Sequence, residues 1–342
     1  RALGKALGNR RDEVLIASKV LPENCTPERL RAACEGSLER LGTDRIDLYQ
    51  VHWPNHEVPF EETYGEMLRL KEEGKIRAIG VSNFGVADLG AWLEHGELVS
   101  NQLGYNLVFR AVEYEIVPAC RRHGVGVLAY MGLMQGLLAG RWTSVEAIPP
   151  PRRRTRHFSR TRSGVRHDEK GCETTLMELV ESVQAFSTAI GVSMATVCLC
   201  WLVAQPGVTS AIVGGRKPEQ IQRNLEAGDL DLGPAAIAQL DEASGPLKAW
   251  FGANADLWLG ASQSRIRCGG TAEGVRRMIF VKTFKGYEDK TLELDSTVNA
   301  WILENKVQVV GIRSVLSHEV GGRAASGDLL YTVMYKADEP LP

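Results

Sequence analysis

The stretch "RIDLYQVHWPN", Arg45 to Asn55, reads as a buried strand that ends on a histidine. At the C-terminal mouth of a parallel strand, His52 is well placed for proton chemistry. It has company. Polar residues or glycine stand at the ends of nearly every apolar, β-rich run: Lys19 in "VLIASKV", Ser82 and Asn83 in "IRAIGVSN", Gln102 in "VSNQLGYN", Tyr130 in "VGVLAYMGL", Gly214 and Arg216 after "VTSAIV". Each of these by itself has an ordinary structural use. Six strand ends in succession form a pattern, because strands closed into a barrel would aim all of them into one mouth, where barrel enzymes keep their sites.

The elements that must position these residues repeat as a βα unit. "VLIASKV" is followed by "TPERLRAACEGSLERLG", in which Thr26 fits an N-cap and Pro27 the first helical position. Small or apolar residues recur at Leu30, Ala33, Cys34, Ser37, Leu38 and Leu41, and Gly42 stops the helix. Five further strand-and-helix pairs follow, giving six units. Between the fifth strand and its helix lies "PPPRRRTRHFSRTRSGVRHDEKG", which reads as a solvated excursion too polar to pack, or else as an anion clamp over a mouth. The helical stretch from Glu173 to Gln205 is long enough for two helices broken at "AIGVSM".

Such units close either as a doubly wound sheet or as a (β/α)8 barrel. The G-x-G-x-x-G fingerprint of the dinucleotide-binding doubly wound sheet is absent. From Met278 the pattern changes to a strand, a helix with Leu294, Val298, Trp301 and Ile302 on one side, and two more strands. The expected organisation is therefore a barrel-like domain over 1–267, a link over 268–277, and a small α+β (βαββ) module over 278–342.

With 40 Lys and Arg against 42 Asp and Glu, the net charge of -2 leaves no basic excess for nucleic acid or an anionic membrane. No run of about 18 apolar residues suggests a membrane span. Seven cysteines with no C-x-x-C pair read as buried thiols of a reducing compartment, so neither a metal site nor disulfides are expected, and the location expected is cytoplasmic. A chain starting on Arg1 is expected to lack its true beginning.

Taken together, "VLIASKV", "IDLYQVHWP", "GKIRAIGVSNF", "NQLGYNLVFR", "VGVLAYMGLMQGLLAGRW" and "AIVGGRKPEQIQRNLEA" resemble, in order and spacing, the third to eighth strands and loops of the aldo-keto reductase family. The resemblance covers about residues 1 to 267. It implies a (β/α)8 TIM barrel that binds an extended nicotinamide cofactor, NADP(H) in preference to NAD(H), and reduces a small aldehyde or ketone by hydride transfer. Lys19 and His52 match the family's catalytic lysine and histidine, and Trp53 a residue lining the substrate pocket. Ser82, Asn83 and Gln102 match residues that hydrogen-bond the nicotinamide carboxamide, and Tyr130 the aromatic on which that ring stacks. Gly214 matches a phosphate contact at a helix N-terminus, Arg216 a partner for the 2'-phosphate, and Gln220 and Asn224 residues that reach the adenine.

Two departures qualify the match. After Tyr130 the family has Ser-Pro-Leu, where this chain has Met131, Gly132 and Leu133; Gly132 still allows close backbone approach to the cofactor. Family members also begin with two more βα units carrying an aspartate and the tyrosine that donates the proton. A barrel lacking those units is expected to be impaired in catalysis, to leave Lys19 without its carboxylate, and to expose long apolar edges open to self-association. The rival expectation is a non-catalytic protein that binds or senses a nicotinamide nucleotide.

Overall fold

Six β-rich runs become parallel strands: β1 (Ala17–Val20), β2 (Ile46–Val51), β3 (Ile76–Ser82), β4 (Ser100–Gly104), β5 (Gly126–Tyr130) and β6 (Val208–Ala211). They pair in sequential order from β1 to β6, consistent with part of a (β/α)8 barrel. The computed structural model describes residues 1–268, 278–287, 296–301, 308–317 and 328–337. The chain divides into two units, Arg1–Cys268 and Gly269–Pro342.

A short α1 (Ala2–Leu7) precedes the sheet, and α2 (Pro27–Leu41), α3 (Phe60–Glu72), α4 (Val86–Leu93) and α5 (Ile116–Arg122) follow β1 to β4 in turn. α6 (Glu173–Ala189) and α7 (Met194–Val203) follow β5, and α8 (Pro218–Asp229) and α9 (Gly233–Phe251) follow β6. Local chemistry sets the ends. α2 begins at Thr26 and Pro27 and stops at Gly42, whose φ of 69° suits a residue without a Cβ. The break between α6 and α7 holds Gly191 at φ 68°, and the Ser193 hydroxyl then caps α7 by accepting from the Thr196 backbone N–H. The core lies between sheet and helices, with Trp92, Trp201 and Tyr49 among its largest fully buried side chains.

α7 is buried on nearly all sides, so "VCLCWLV" is apolar without a period. All seven cysteines are free and six are buried, and burial pushes the Cys34 thiol up to about 11. Among the described residues no single helix is long and apolar enough to cross a membrane.

Two expectations are corrected. The polar excursion after β5 is solvated only in part, because its middle packs: Thr155, Arg156, His157 and Phe158 are all buried. Its polar groups find internal partners, which sequence polarity does not reveal. His157 Nε2 bonds the Val108 carbonyl at 2.8 Å, the Arg156 guanidinium pairs with Glu169 at 2.9 Å, and burial holds His157 down at about 3. The sheet's outer strands, β1 and β6, are also only four residues each, so the edge offered for self-association is short rather than long.

The segment 265–268 is tied to α4, where the Ala87 N–H donates to the Arg267 carbonyl at 3.1 Å. A Cβ on Gly85, the cap of α4, would fall inside the van der Waals envelope of that same carbonyl group. Backbone cannot give way as a side-chain end can. Gly85→Ala is therefore expected to lower stability by about 1–2 kcal/mol, read as a reduced urea midpoint at unchanged slope.

In the second unit, β7 (Met278–Tyr287), β8 (Gln308–Ser317) and β9 (Asp328–Ala337) form an antiparallel sheet with β9 in the middle. Residues 296–301 are helical, and Val298 on that helix is buried. Leu294, Ile302 and, Cys268 apart, the expected link lie outside the described residues.

Candidate active site

The strand ends meet in a cavity of about 430 Å³ lined by Lys19, His52, Trp53, Ser82, Asn83, Gln102 and Tyr130. Parallel register explains the meeting. Ser82 stands opposite Gln102, Gly104 opposite Tyr130, and the His52 N–H continues the ladder by donating to the Val20 carbonyl at 2.9 Å. Tyr49, three residues before His52, is fully buried in the core instead.

Asn83 fastens these ends together. Its φ of 61° turns the chain out of β3, and its amide Nδ2 donates to the His52 carbonyl and to Ser82 Oγ, each at 3.0 Å. Its Oδ1 accepts from the Tyr130 hydroxyl at 2.9 Å, while Ser82 Oγ donates to the Gln102 carbonyl at 2.9 Å. One amide thus links the ends of β2, β3 and β5. The Gln102 amide, by contrast, makes no side-chain hydrogen bond to the described residues although only 5% of the residue is exposed. A buried amide left in that state at a cavity wall is suited to a ligand amide.

The cavity is electropositive. Burial lowers the Lys19 pKa from its ordinary value, and no carboxylate pairs with Lys19 among the described residues. The His52 pKa is also lowered, first by burial and then by the charges of Lys19 and Arg265, so the imidazole is neutral at pH 7. Burial, and secondarily Asp256, raises the Tyr130 phenol above its ordinary value.

Trp258 and Arg265 also line this cavity and were not expected from sequence, whereas Arg166, which lines it too, belongs to the Arg-rich excursion for which an anion clamp over a mouth was one expectation. The Trp258 ring lies parallel to Tyr130 with centroids 6.4 Å apart, and the Arg265 guanidinium sits 3.6 Å from the centroid of Trp53. Both belong to a loop organised by the buried Asp256, which accepts from the backbone N–H groups of Trp258, Leu259 and Arg265 and from the Arg265 side chain. A loop held by one side chain has no period, and only the Asp-x-Trp spacing of an Asx turn could have marked it.

A second cavity of about 850 Å³ gathers the remaining predicted residues: Gly132, Leu133, Gly214, Arg216, Gln220 and Asn224. Ile212 borders both cavities. The start of α8 is shaped by its own side chains, since Gln220 Oε1 accepts from the Arg216 N–H at 2.8 Å. Gly132 sets its bare backbone against α7, where a Cβ would lie 3.0 Å from Leu202. Arg141 and Arg223 add cations that no expectation named, and Arg152 adds one from the Arg-rich excursion; Arg152 donates to the Gln135 carbonyl at 2.9 Å and stacks on Trp142.

Among the described residues no carboxylate lines either cavity. The donor set therefore fits an extended anionic nucleotide, with an amide reader at one end and arginines at the other. No cluster of potential metal ligands occurs among the described residues.

A profile of the aldo/keto reductase family matches residues 1–244. The chain is 31% identical over 236 residues to the NADH-specific methylglyoxal reductase of Escherichia coli K12, covering 68% of this chain and 69% of the relative. It is 34% identical over 234 residues to the aldo-keto reductase YhdN of Bacillus subtilis, covering 64% and 67%. Among solved structures, an aldo/keto reductase from Klebsiella pneumoniae in complex with NADP and acetate matches with a TM-score of 0.55 at 32% identity, covering 70% of this chain and 73% of that one. Six successive strand ends carrying these side chains, and matches over most of the chain, lead to one conclusion: the chain belongs to the aldo/keto reductase family of oxidoreductases.

Proposed function

We propose that the protein catalyses nicotinamide-dependent reduction of a small aldehyde or ketone, with NADP(H) preferred over NAD(H). The observation that carries this reading is the convergence of Lys19, His52, Ser82 and Gln102 on one cavity that adjoins a second, arginine-lined one. Ser82 and Gln102 would hold the nicotinamide carboxamide, with Tyr130 as the ring's wall, and Arg216, Gln220 and Asn224 would hold the adenosine end. Bound there, the reduced nicotinamide supplies a hydride. Asn83 is better described as the positioning residue of this end, because its amide is committed to His52, Ser82 and Tyr130.

As the carbonyl carbon takes on hydride, its oxygen gains negative charge, and the chain's own donors must meet that charge. Neutral His52 can donate a hydrogen bond to the oxygen and orient it. The Lys19 ammonium, desolvated and without a carboxylate among the described residues, supplies the full positive charge and a transferable proton. The substrates named for two relatives, methylglyoxal in both, fit a cavity of this size.

One observation favours a second reading, a non-catalytic nucleotide binder. Tyr130 is the one tyrosine among the described residues lining the cavity, and its proton is committed to Asn83. Titrating the full chain with NADPH while following tryptophan fluorescence, and then assaying NADPH oxidation with methylglyoxal, separates the two. Binding without turnover supports the second reading, and the absence of binding sinks both. Arg216→Ala is expected to weaken NADPH about tenfold and NADH less, so the ratio of the two dissociation constants narrows.

A further inference from the structure

The cations of the first cavity outnumber what the proposed reduction requires. Lys19 and His52 suffice to meet a carbonyl oxygen, yet Arg166 and Arg265 line the same cavity, and among the described residues no Asp or Glu does. The nucleotide's phosphates do not account for them, because the second cavity has Arg141, Arg152, Arg216 and Arg223 of its own.

The two arginines are held differently. Arg265 is fixed: Asp256 takes its Nε at 3.0 Å and its Nη2 at 3.3 Å, and the guanidinium stacks on Trp53. Its Nη1 makes no hydrogen bond to the described residues, so the pair leaves both N–H groups of that nitrogen for a ligand. Asp256 offsets part of this charge, but it is fully buried behind the wall and does not reach the cavity surface. Arg166 is exposed, and has neither an ion pair nor a side-chain hydrogen bond among the described residues. The field is felt inside: Lys19 and Arg265 both disfavour protonation of His52.

We propose that this cavity takes carbonyl compounds that carry an anionic group, carboxylate or phosphate, a few atoms from the carbonyl, with Arg166 and Arg265 holding that group. The inference rests on the reductase reading and adds its substrate class. The cavity's modest size, part of which the nicotinamide ring would fill, limits the substrate to a short chain. The fixed Arg265 orients the anion, and Arg166 at the rim closes on it, so the carbonyl is left facing Lys19 and His52.

The test uses the full chain with NADPH and three short aldehydes: butanal, succinic semialdehyde and glyceraldehyde phosphate. One or both of the anionic aldehydes are expected to show kcat/KM at least tenfold above butanal. The better of the two identifies the anionic group. Arg166→Ala is expected to reduce that ratio about tenfold, chiefly through KM, and Arg166→Lys to retain most of it. Equal kcat/KM for all three aldehydes, with turnover intact, would overturn the substrate class and leave the reductase reading standing. If none is turned over, the reductase reading fails by itself. Quenching of tryptophan fluorescence by the same aldehydes then decides the anion preference, tighter saturable binding of an anionic aldehyde supporting it and equal affinities overturning it.

Discussion

Replacing Lys19 with Met is expected to slow NADPH-dependent aldehyde reduction by about 10² to 10³-fold and to make the fold more resistant to urea. Both effects come from the same observation. Lys19 is desolvated at the end of β1 without a carboxylate partner among the described residues, so its charge is a cost to the folded state and an asset to a developing alkoxide. Met keeps the apolar stem and removes the charge. The sign of the pH dependence follows. Because burial lowers the folded-state pKa, the unfolded chain binds this proton more tightly. Wild-type stability therefore rises with pH from the lowered value towards the unfolded value of about 10.4, a rise that Lys19→Met lacks. Activity runs the other way and falls as pH climbs through the lowered pKa, since only the ammonium stabilises the oxyanion. Urea midpoints and initial rates on both proteins across neutral to alkaline pH check this. A variant that is less active but no more stable would show that Lys19 has a counter-charge, and one that is equally active would remove Lys19 from the chemistry.

What made Lys19, His52, Ser82, Gln102 and Tyr130 legible from sequence was strand periodicity joined to one topological rule. Parallel strands in sequential order bring their C-terminal ends to one side, so the last polar residue of each run shares a mouth with the others. The role of Asn83 was not legible in the same way. Its identity marked a polar strand end, but only the folded arrangement shows that its amide is taken up by His52, Ser82 and Tyr130. The burial of the middle of the excursion after β5 is hidden from sequence for a related reason: Arg156 and His157 look like surface residues until Glu169, Asn254 and Val108 are seen to satisfy them. Trp258 and Arg265 lay beyond any periodic element, and their place depends on a carboxylate whose partners lie up to nine residues away.

That carboxylate is the subject of the second large effect. Asp256→Ala is expected to destabilise the protein by about 3 kcal/mol, the lower end of the range for breaking a buried pair, because Arg265 is 38% exposed and water can partly replace its lost partner. Three backbone N–H groups lose their acceptor at once, those of Trp258, Leu259 and Arg265, and the single 3-10 turn between them, Ala261–Gln263, does not replace it. The consequence reaches the cavity. Trp258 leaves its parallel position on Tyr130, and Arg265 leaves Trp53. The variant should therefore unfold at lower urea and show altered tryptophan emission even where it remains folded. Asp256→Asn, which keeps an acceptor oxygen but loses the charge, should fall between the two. If Asp256→Ala unfolds with the wild-type midpoint, the loop is held by something other than this carboxylate. Trp258 and Arg265 would then be fixed by the rings they stack on, so truncating Trp53 to Ala, rather than Asp256, would be what displaces Arg265.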